Sequence, residues 1–251
     1  MNAYERKMEI LKLLSQEGKV SINSLAETFA VTRVTARADL DSLEKQGLLV
    51  RIHGGGVPPE NYRLARMISK TLQERRQEKE LIASLALGLI EDGSTLLIDS
   101  GSTTAILAQH LKERHLTVIT NSVLVLQELS GLETVELLVS GGALRKPDLA
   151  LIGEIASSFY QQIHADITFL GATGFSLDKG VSCSNLIEAE TKKSMIKSGL
   201  KVCLLADSSK AGKVSLAHVC DWEDIDILVT DAVSPEDRKR LLEFGVEVLT
   251  P

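Results

Sequence analysis

From Ser94 to the C-terminus the chain alternates short apolar runs with helical patterns, and this alternation limits the fold more than any other feature. The apolar runs are Thr95–Ile98, Leu116–Thr120, Val135–Val139, Ile167–Leu170, Val202–Leu205, Ile225–Val229 and Val246–Leu249. Each is short and mostly apolar and β-branched, as suits a strand covered on both faces. Most are followed by a helical pattern: Ala105–Leu111, Val123–Leu129, Ile152–Ile163, Glu188–Lys197 and Pro235–Phe244. The last opens on Ser234-Pro235-Glu236-Asp237, an N-cap, a proline at the first helical position and acids in the first turn. Parallel neighbours need a crossover connection, and a helix supplies it. The expectation is an α/β body over residues 72–251, Rossmann-like, with a mostly parallel sheet and helices on both sides.

Ligands of such sheets bind beyond the carboxyl ends of the strands, and small polar residues collect there. The first strand leads into Asp99-Ser100-Gly101-Ser102-Thr103-Thr104, the second into Thr120-Asn121-Ser122 and the third into Ser140-Gly141-Gly142. The fourth leads into Gly171-Ala172-Thr173-Gly174 and the fifth into Asp207-Ser208-Ser209-Lys210. Glycine and serine are ordinary turn residues, so one such loop means little; five on one sheet edge predict a polar pocket. Gly101-Ser102-Thr103-Thr104 opens directly onto a helix, whose unpaired N–H groups and positive dipole end make it the best phosphate cradle in the chain.

Ahead of this body, Lys19–Gly56 reads as a DNA-binding module over residues 1–57. Ser21 caps a helix over Ile22–Phe29, Ala30 and Val31 turn, and Thr32 caps a second helix that reaches about Gln46 before Gly47 ends it. Ala36, Leu40 and Leu43 form the buried stripe of that second helix, which turns Arg33, Val34, Thr35, Arg37 and Ala38 outward, where a recognition helix meets the major groove. Leu48–Ile52 then form a short strand that ends in His53 and three glycines, a wing whose Arg51, His53, Gly54 and Gly55 can approach phosphates. Residues 1–60 hold eight basic and eight acidic side chains, so placement carries the reading: Arg33, Arg37 and Arg51 share one expected face. Over residues 1–80 the net charge is +3, against −9 for the remainder, which fits DNA binding confined to one end. Pro58-Pro59 mark a break, and residues 58–71 read as a linker.

Val31-Thr32-Arg33-Val34-Thr35-Ala36-Arg37-Ala38-Asp39-Leu40, Leu43-Glu44-Lys45-Gln46-Gly47 and Arg51-Ile52-His53-Gly54-Gly55 in one register resemble the N-terminal domain of the DeoR family of bacterial sugar-metabolism repressors. Ala36 stands where the family commonly has Ile, and Ala38 where a second Arg or an Asn is common. The body is similar to the family's sensor domain, and through it to sugar-phosphate isomerases. The matching residues are Asp99–Thr104, Thr120-Asn121-Ser122, Gly141-Gly142, Asn185–Lys192 with Glu188, and Asp207-x-Ser209-Lys210-x-Gly212-Lys213. The usual Gly-Ala-Asp-Gly is Gly171-Ala172-Thr173-Gly174 here. The resemblance implies a repressor that binds double-stranded operator DNA and responds to a phosphorylated sugar; a cytoplasmic homo-oligomer is expected, because no long apolar stretch follows the charged N-terminus and one short module contacts too few bases for tight specific binding. The resemblance puts Lys210, Asp207 and Lys192 near the effector and ties Lys79 to the effector response. The other side chains of the charge run Gln73–Glu80 within a helix over Leu72–Glu91, Arg75 and Arg76 among them, read as a solvated face.

Other classes are weaker. Asp99, Glu188, Glu190 and Asp207 are carboxylates an isomerase could use as a base, but capping and orienting roles suit them better; a sugar-phosphate isomerase carrying a DNA-binding head is the alternative. A head that binds protein instead of DNA is a third reading. No histidine has a triad partner, and Cys183, Cys203 and Cys220 have neither disulfide nor zinc spacing, so no cofactor or metal is expected. The longest near-apolar segment, Leu81–Ile90, is too short to span a bilayer, and no membrane partner is expected.

Overall fold

The computed structural model describes residues 1–59, 68 and 70–251, which fall into two compact units, Met1–Ser69 and Lys70–Pro251. Most of the expected linker, residues 58–71, lies outside the described residues.

Among its described residues up to 59, the first unit has three helices and a three-stranded sheet. Helix α1 (Ala3–Glu17) begins on a reciprocal cap in which Asn2 Oδ1 accepts from the Glu5 amide at 2.9 Å and Glu5 Oε2 from the Asn2 amide at 3.0 Å. Helix α2 (Ile22–Thr28) and helix α3 (Arg33–Lys45) start where expected: Ser21 Oγ accepts from the Ser24 amide and Thr32 Oγ1 from the Thr35 amide. Ile10, Leu14, Leu25, Ala36, Leu40 and Leu43 meet in one core, which Leu49 closes. Strands β1 (Val20–Ser21), β2 (Val50–Ile52) and β3 (Gly55–Val57) pair antiparallel in the order β1-β3-β2. The glycines that sequence placed after the wing strand are therefore partly a strand themselves. Gly55 pairs with Ser21, and a Cβ there would lie 2.0 Å from the Val20 carbonyl oxygen, so no larger residue fits. Helix α1 was not anticipated, nor was the bidentate pair beneath it, where buried Arg6 donates to buried Asp39 (Nη2–Oδ1 3.1 Å).

In the second unit all seven expected strands form one sheet: β4 (Thr95–Ile98), β5 (Leu116–Thr120), β6 (Val135–Val139), β9 (Ala165–Gly171), β12 (Gly199–Leu205), β14 (Ile227–Val229) and β15 (Glu247–Leu249). Their order is β15-β14-β12-β9-β4-β5-β6, and every neighbouring pair is parallel. Alternation along the strands divides the core. Leu96, Ile98, Val118, Phe169, Cys203 and Leu205 face α4 (Arg76–Leu87), α5 (Ser102–Gln109) and α6 (Val123–Leu129). Leu97, Ile119, Leu170, Leu204 and Leu228 face the other side, with α7 (Glu154–Tyr160), α8 (Leu186–Ser198) and α9 (Pro235–Glu243). Two expectations change. Ile152 ends a strand rather than starting a helix: β7 (Ala143–Arg145) and β8 (Ala150–Ile152) form a hairpin ahead of α7. The helix expected over Leu72–Glu91 is broken at Arg75, which takes a left-handed conformation (φ 52°).

Strands β10 (Gly174–Ser176), β11 (Gly180–Cys183) and β13 (Ala217–Cys220) make a small separate sheet whose core includes Trp222, its indole N–H donating to the Ser176 carbonyl at 3.0 Å. The three cysteines are free and buried, and burial raises the thiol of each, Cys220 to about 12. Among the described residues no helix is long and apolar enough to cross a membrane, and no cluster of His, Cys, Asp or Glu has the makings of a metal site.

Candidate functional site

The chain runs from β4 outward through β5 to β6, then returns to place β9 on the other flank of β4. At this switch point the helices of β4 and β9 leave on opposite faces and a crevice opens beyond the strand ends. A cavity of about 430 Å³ lies there, lined by the loops after β4 (Ser100–Thr104), β9 (Gly171–Thr173) and β12 (Leu205–Asp207, Ser209, Lys210). Thr71, Glu74, Arg75 and Lys79 line it from the segment that precedes and opens α4, and Asp148, Glu188 and Lys192 also contribute.

One part of the cavity suits an anion. Gly101 is the N-cap of α5 (φ 144°), and among the described residues no side chain caps the first-turn amides. Thr104 Oγ1 donates to the Gly101 carbonyl at 3.0 Å, while the Ser102 and Thr103 hydroxyls have no protein partner among the described residues. Lys210 ends the 3₁₀ turn Ser208–Lys210, and its ammonium has no hydrogen-bond or ion-pair partner among the described residues. The cavity's other cations are engaged. Lys79 is buried and donates to the Thr71 carbonyl at 2.6 Å; burial, reinforced by Lys210, holds its pKa below the usual lysine value.

Lys192 is 2% exposed and at the centre. Its ammonium hydrogen-bonds Asp99 Oδ2, donates to the Gly171 carbonyl at 3.1 Å and lies 3.6 Å from Glu188 Oε1. Burial opposes its charge, but Asp99 and Glu188 outweigh burial and raise its pKa. Asp99 Oδ2 also accepts from the Gly171 amide at 3.0 Å, so this network ties the ends of β4 and β9 to α8. Asp99 is fully buried and acts through Lys192 rather than lining the cavity. Asp207 does line it, yet its Oδ1 is committed to Ser209 (amide at 3.1 Å) and to Arg75 Nε at 3.1 Å.

Of the expected effector residues, Lys79, Ser100, Gly101, Ser102, Thr103, Thr104, Thr173, Glu188, Lys192, Asp207, Ser209 and Lys210 come together around this cavity. Asn121, Ser122, Gly141 and Gly142 do not line it. They belong to strands on the far flank of β4, where the β7–β8 hairpin occupies them: the Leu151 amide donates to the Asn121 carbonyl at 2.7 Å and Ser122 bridges to Ala150. Gly142 is a packing requirement, since a Cβ there would sit 2.8 Å from the Ile152 carbonyl oxygen. Sequence reasoning missed Thr71, Glu74, Arg75 and Asp148 among the lining residues. Arg75, read as a solvated helix position, reaches Asp207, Asp231 (3.0 Å) and Ser208 Oγ (3.1 Å). Asp148 enters from the unanticipated hairpin; the turn residues Lys146-Pro147-Asp148 were its available signal.

On the first unit, Arg33, Val34, Arg37 and Ala38 of α3 are exposed, Val34 to 78%, with Thr32 at the cap and Thr35 half-buried beside it. Arg33 and Arg37 have no acidic partner among the described residues, which leaves two guanidinium groups free on one turn of helix. His53 and Gly54 (φ 77°) form the exposed wing tip. Arg51 and Gly55 depart from expectation. Arg51 pairs with Asp41 at 3.1 Å and donates to the Gly55 carbonyl at 2.7 Å, so it braces the wing, and Gly55 is buried under it.

Residues 6–61 match the DeoR-like helix-turn-helix domain, and residues 74–232 match the DeoR C-terminal sensor domain. A putative aga operon transcriptional repressor of Escherichia coli O157:H7 is 34% identical, with 98% of this chain and 93% of that protein aligned. A lactose phosphotransferase system repressor of Staphylococcus epidermidis is 33% identical across the full length of both chains. Among solved structures, ribose 5-phosphate isomerase A of Methanocaldococcus jannaschii aligns over 54% of each chain at 18% identity with a TM-score of 0.41, too remote to bear on fold or activity.

Proposed function

Because the chain belongs to the DeoR family of helix-turn-helix transcriptional regulators, we propose that it represses a carbohydrate-use operon and that a sugar phosphate bound in the cavity of its body controls it. The head binds double-stranded operator DNA through the exposed face of α3, with Arg33 and Arg37 reaching base edges or phosphates and His53-Gly54 touching the flanking backbone. A single module of this size contacts too few bases for tight specific binding, so the chain works as a homo-oligomer that pairs its heads.

The observation that carries the ligand reading is the Lys210 ammonium, unpaired among the described residues, in the same cavity as the first turn of α5, which no described side chain caps. A lysine and a helix N-terminus together offset most of the charge of one phosphate. The phosphate lies between Ser100–Thr104 and Lys210, and the sugar extends toward Lys192. Regulation follows from chain order. The cavity wall formed by Thr71, Glu74, Arg75 and Lys79 is the first part of the body after the head, so a ligand that favours one arrangement of this wall biases the spacing of paired heads. The coupling is limited to the ligand's differential affinity for the two states, about 1–3 kcal/mol per site.

This reading is regulatory rather than catalytic: Asp207 is held by Arg75 and Ser209, and Asp99 is sealed against Lys192, which suits ligand positioning better than proton transfer. The test is Lys210→Ala. Sequence-specific DNA binding is expected to persist while release by sugar phosphate is lost. Normal release by the variant would place the ligand elsewhere.

A further inference from the structure

The cavity has a second end with its own chemistry. The β7–β8 hairpin brings Asp148, paired with Arg145, to it from the β5 side, whereas Lys210 arrives from the β12 side, with the ends of β9 and β4 between. Three inter-strand steps of about 4.8 Å separate β12 from β5, so after the inward reach of the side chains there is room for a phosphorylated carbon chain lying across the strand ends. At the β5 side five charged groups converge. Arg145 Nη1 hydrogen-bonds Asp148 Oδ2 and lies 3.8 Å from Glu188 Oε2, beyond hydrogen-bond reach. Its Nη2 donates to Ser184 Oγ at 2.9 Å, which fixes the guanidinium between them. Lys192 serves Asp99 first and stands 3.6 Å from Glu188 Oε1.

Two acceptors are left over. Asp148 Oδ1 and Glu188 Oε2 are both shielded from bulk solvent and have no hydrogen-bond donor among the described residues. Glu188 is 5% exposed, and both residues line the cavity. The three carboxylates of this cluster outnumber its two cations. Burial raises the pKa of both Asp148 and Glu188; Asp99 adds to both shifts, and Asp148 adds to that of Glu188. A buried acceptor without a donor is costly, and the costs of two such groups are recovered when a ligand supplies the donors.

We infer that Asp148 and Glu188 form the hydroxyl-recognising end of the ligand site, with Arg145 as their positioning residue. The ligand is then the monophosphate of a polyhydroxylated carbon chain that donates at least two hydroxyl hydrogen bonds to this pair while its phosphate lies at Lys210. This inference rests on the sugar-phosphate reading above and adds which part of the ligand sets specificity.

The test is calorimetric titration of the full-length protein with pentose 5-phosphates, hexose 6-phosphates, their deoxy analogues and inorganic phosphate. Asp148→Asn, which keeps the side-chain volume, is expected to weaken the tightest-binding sugar phosphate about tenfold or more and inorganic phosphate less than twofold. Lys210→Ala is expected to weaken both. The Asn variant should also lose the discrimination between that sugar phosphate and its deoxy analogue, which a purely structural role would not alter. Glu188→Gln, read the same way, covers the case in which Asp148→Asn folds poorly. Unchanged sugar-phosphate affinity and discrimination in both carboxylate variants, with Lys210→Ala still weakened, would overturn the hydroxyl assignment and leave the phosphate site standing. Failure of every sugar phosphate to bind the unaltered protein would overturn both.

Discussion

Replacing Lys192 with Met removes one buried charge and little volume, and the structure sets the size of the effect. The ammonium is 2% exposed and serves Asp99, the Gly171 carbonyl and Glu188. After the substitution Asp99, fully buried, keeps the Gly171 amide at 3.0 Å and a long contact with Ser100 Oγ at 3.4 Å, but has no cation paired with it among the described residues. Breaking a buried pair by removing one partner costs about 3–5 kcal/mol, because the remaining charge is stranded. For a domain of this size each kcal/mol lowers Tm by about 2–4 °C, so Lys192→Met is expected to lower the Tm of the body by roughly 6–20 °C. Differential scanning calorimetry of the full chain measures this, with urea unfolding as a check that the slope of the transition is unchanged. The double variant Asp99→Asn/Lys192→Met strands no charge at Asp99 and should recover part of the loss. A single variant within about 1 kcal/mol of the unaltered protein would refute the claim that this pair holds β4, β9 and α8 together.

Arg37→Ala should weaken operator binding and reduce the slope of log affinity against log salt by about one if the contact is to a phosphate, with no change in Tm, because the side chain is exposed and unpaired among the described residues; gel shifts across a salt series read this. Gly55→Ala should destabilise the head by about 1–3 kcal/mol, since its Cβ would lie 2.0 Å from the Val20 carbonyl, and proteolysis of the head would report it. Arg75→Ala removes the pairs with Asp207 and Asp231 and should cost about 1–2 kcal/mol after solvent screening; a larger effect on ligand-induced DNA release than on stability is expected, read by comparing release curves with thermal melts.

The seven-stranded sheet was legible because each strand is rich in apolar and β-branched residues and is bounded by turn chemistry, and β4, β5 and β6 carry the expected limits. The caps at Ser21, Thr32 and Ser234 were legible for the same local reason: a hydroxyl before a helical pattern satisfies an otherwise unpaired amide. Features set by tertiary contact were not. Strands β7 and β8 are three residues each, too short for a period to emerge, and Leu149–Ile152 runs on into the apolar pattern of α7 with only Gly153 between. That concealed Asp148. Arg75 was hidden because nothing local predicts a left-handed arginine in a charge run; its conformation is held by Asp207 and Asp231, both far away in sequence.

The polar loops show how far an aligned set of turns can be read. The sequence places five at the carboxyl ends of the strands, but not which flank of β4 each occupies. Only strand order separates the three loops that line the cavity from the two that the hairpin takes up. The same holds in the head. Arg33 and Arg37 are exposed as the helical period requires, whereas the bracing of Arg51 by Asp41 depends on how β2 packs against α3.

The measurement that bears most directly on a sugar-phosphate-controlled repressor is binding of the full chain to DNA upstream of its own gene, titrated with sugar phosphates at fixed salt, alongside Lys210→Ala. Salt is fixed because phosphate contacts make affinity steeply salt-dependent. The account predicts sequence-specific binding that at least one sugar phosphate weakens in the unaltered protein and leaves unchanged in the variant. Specific binding that no sugar phosphate alters, or release that survives in Lys210→Ala, would contradict it.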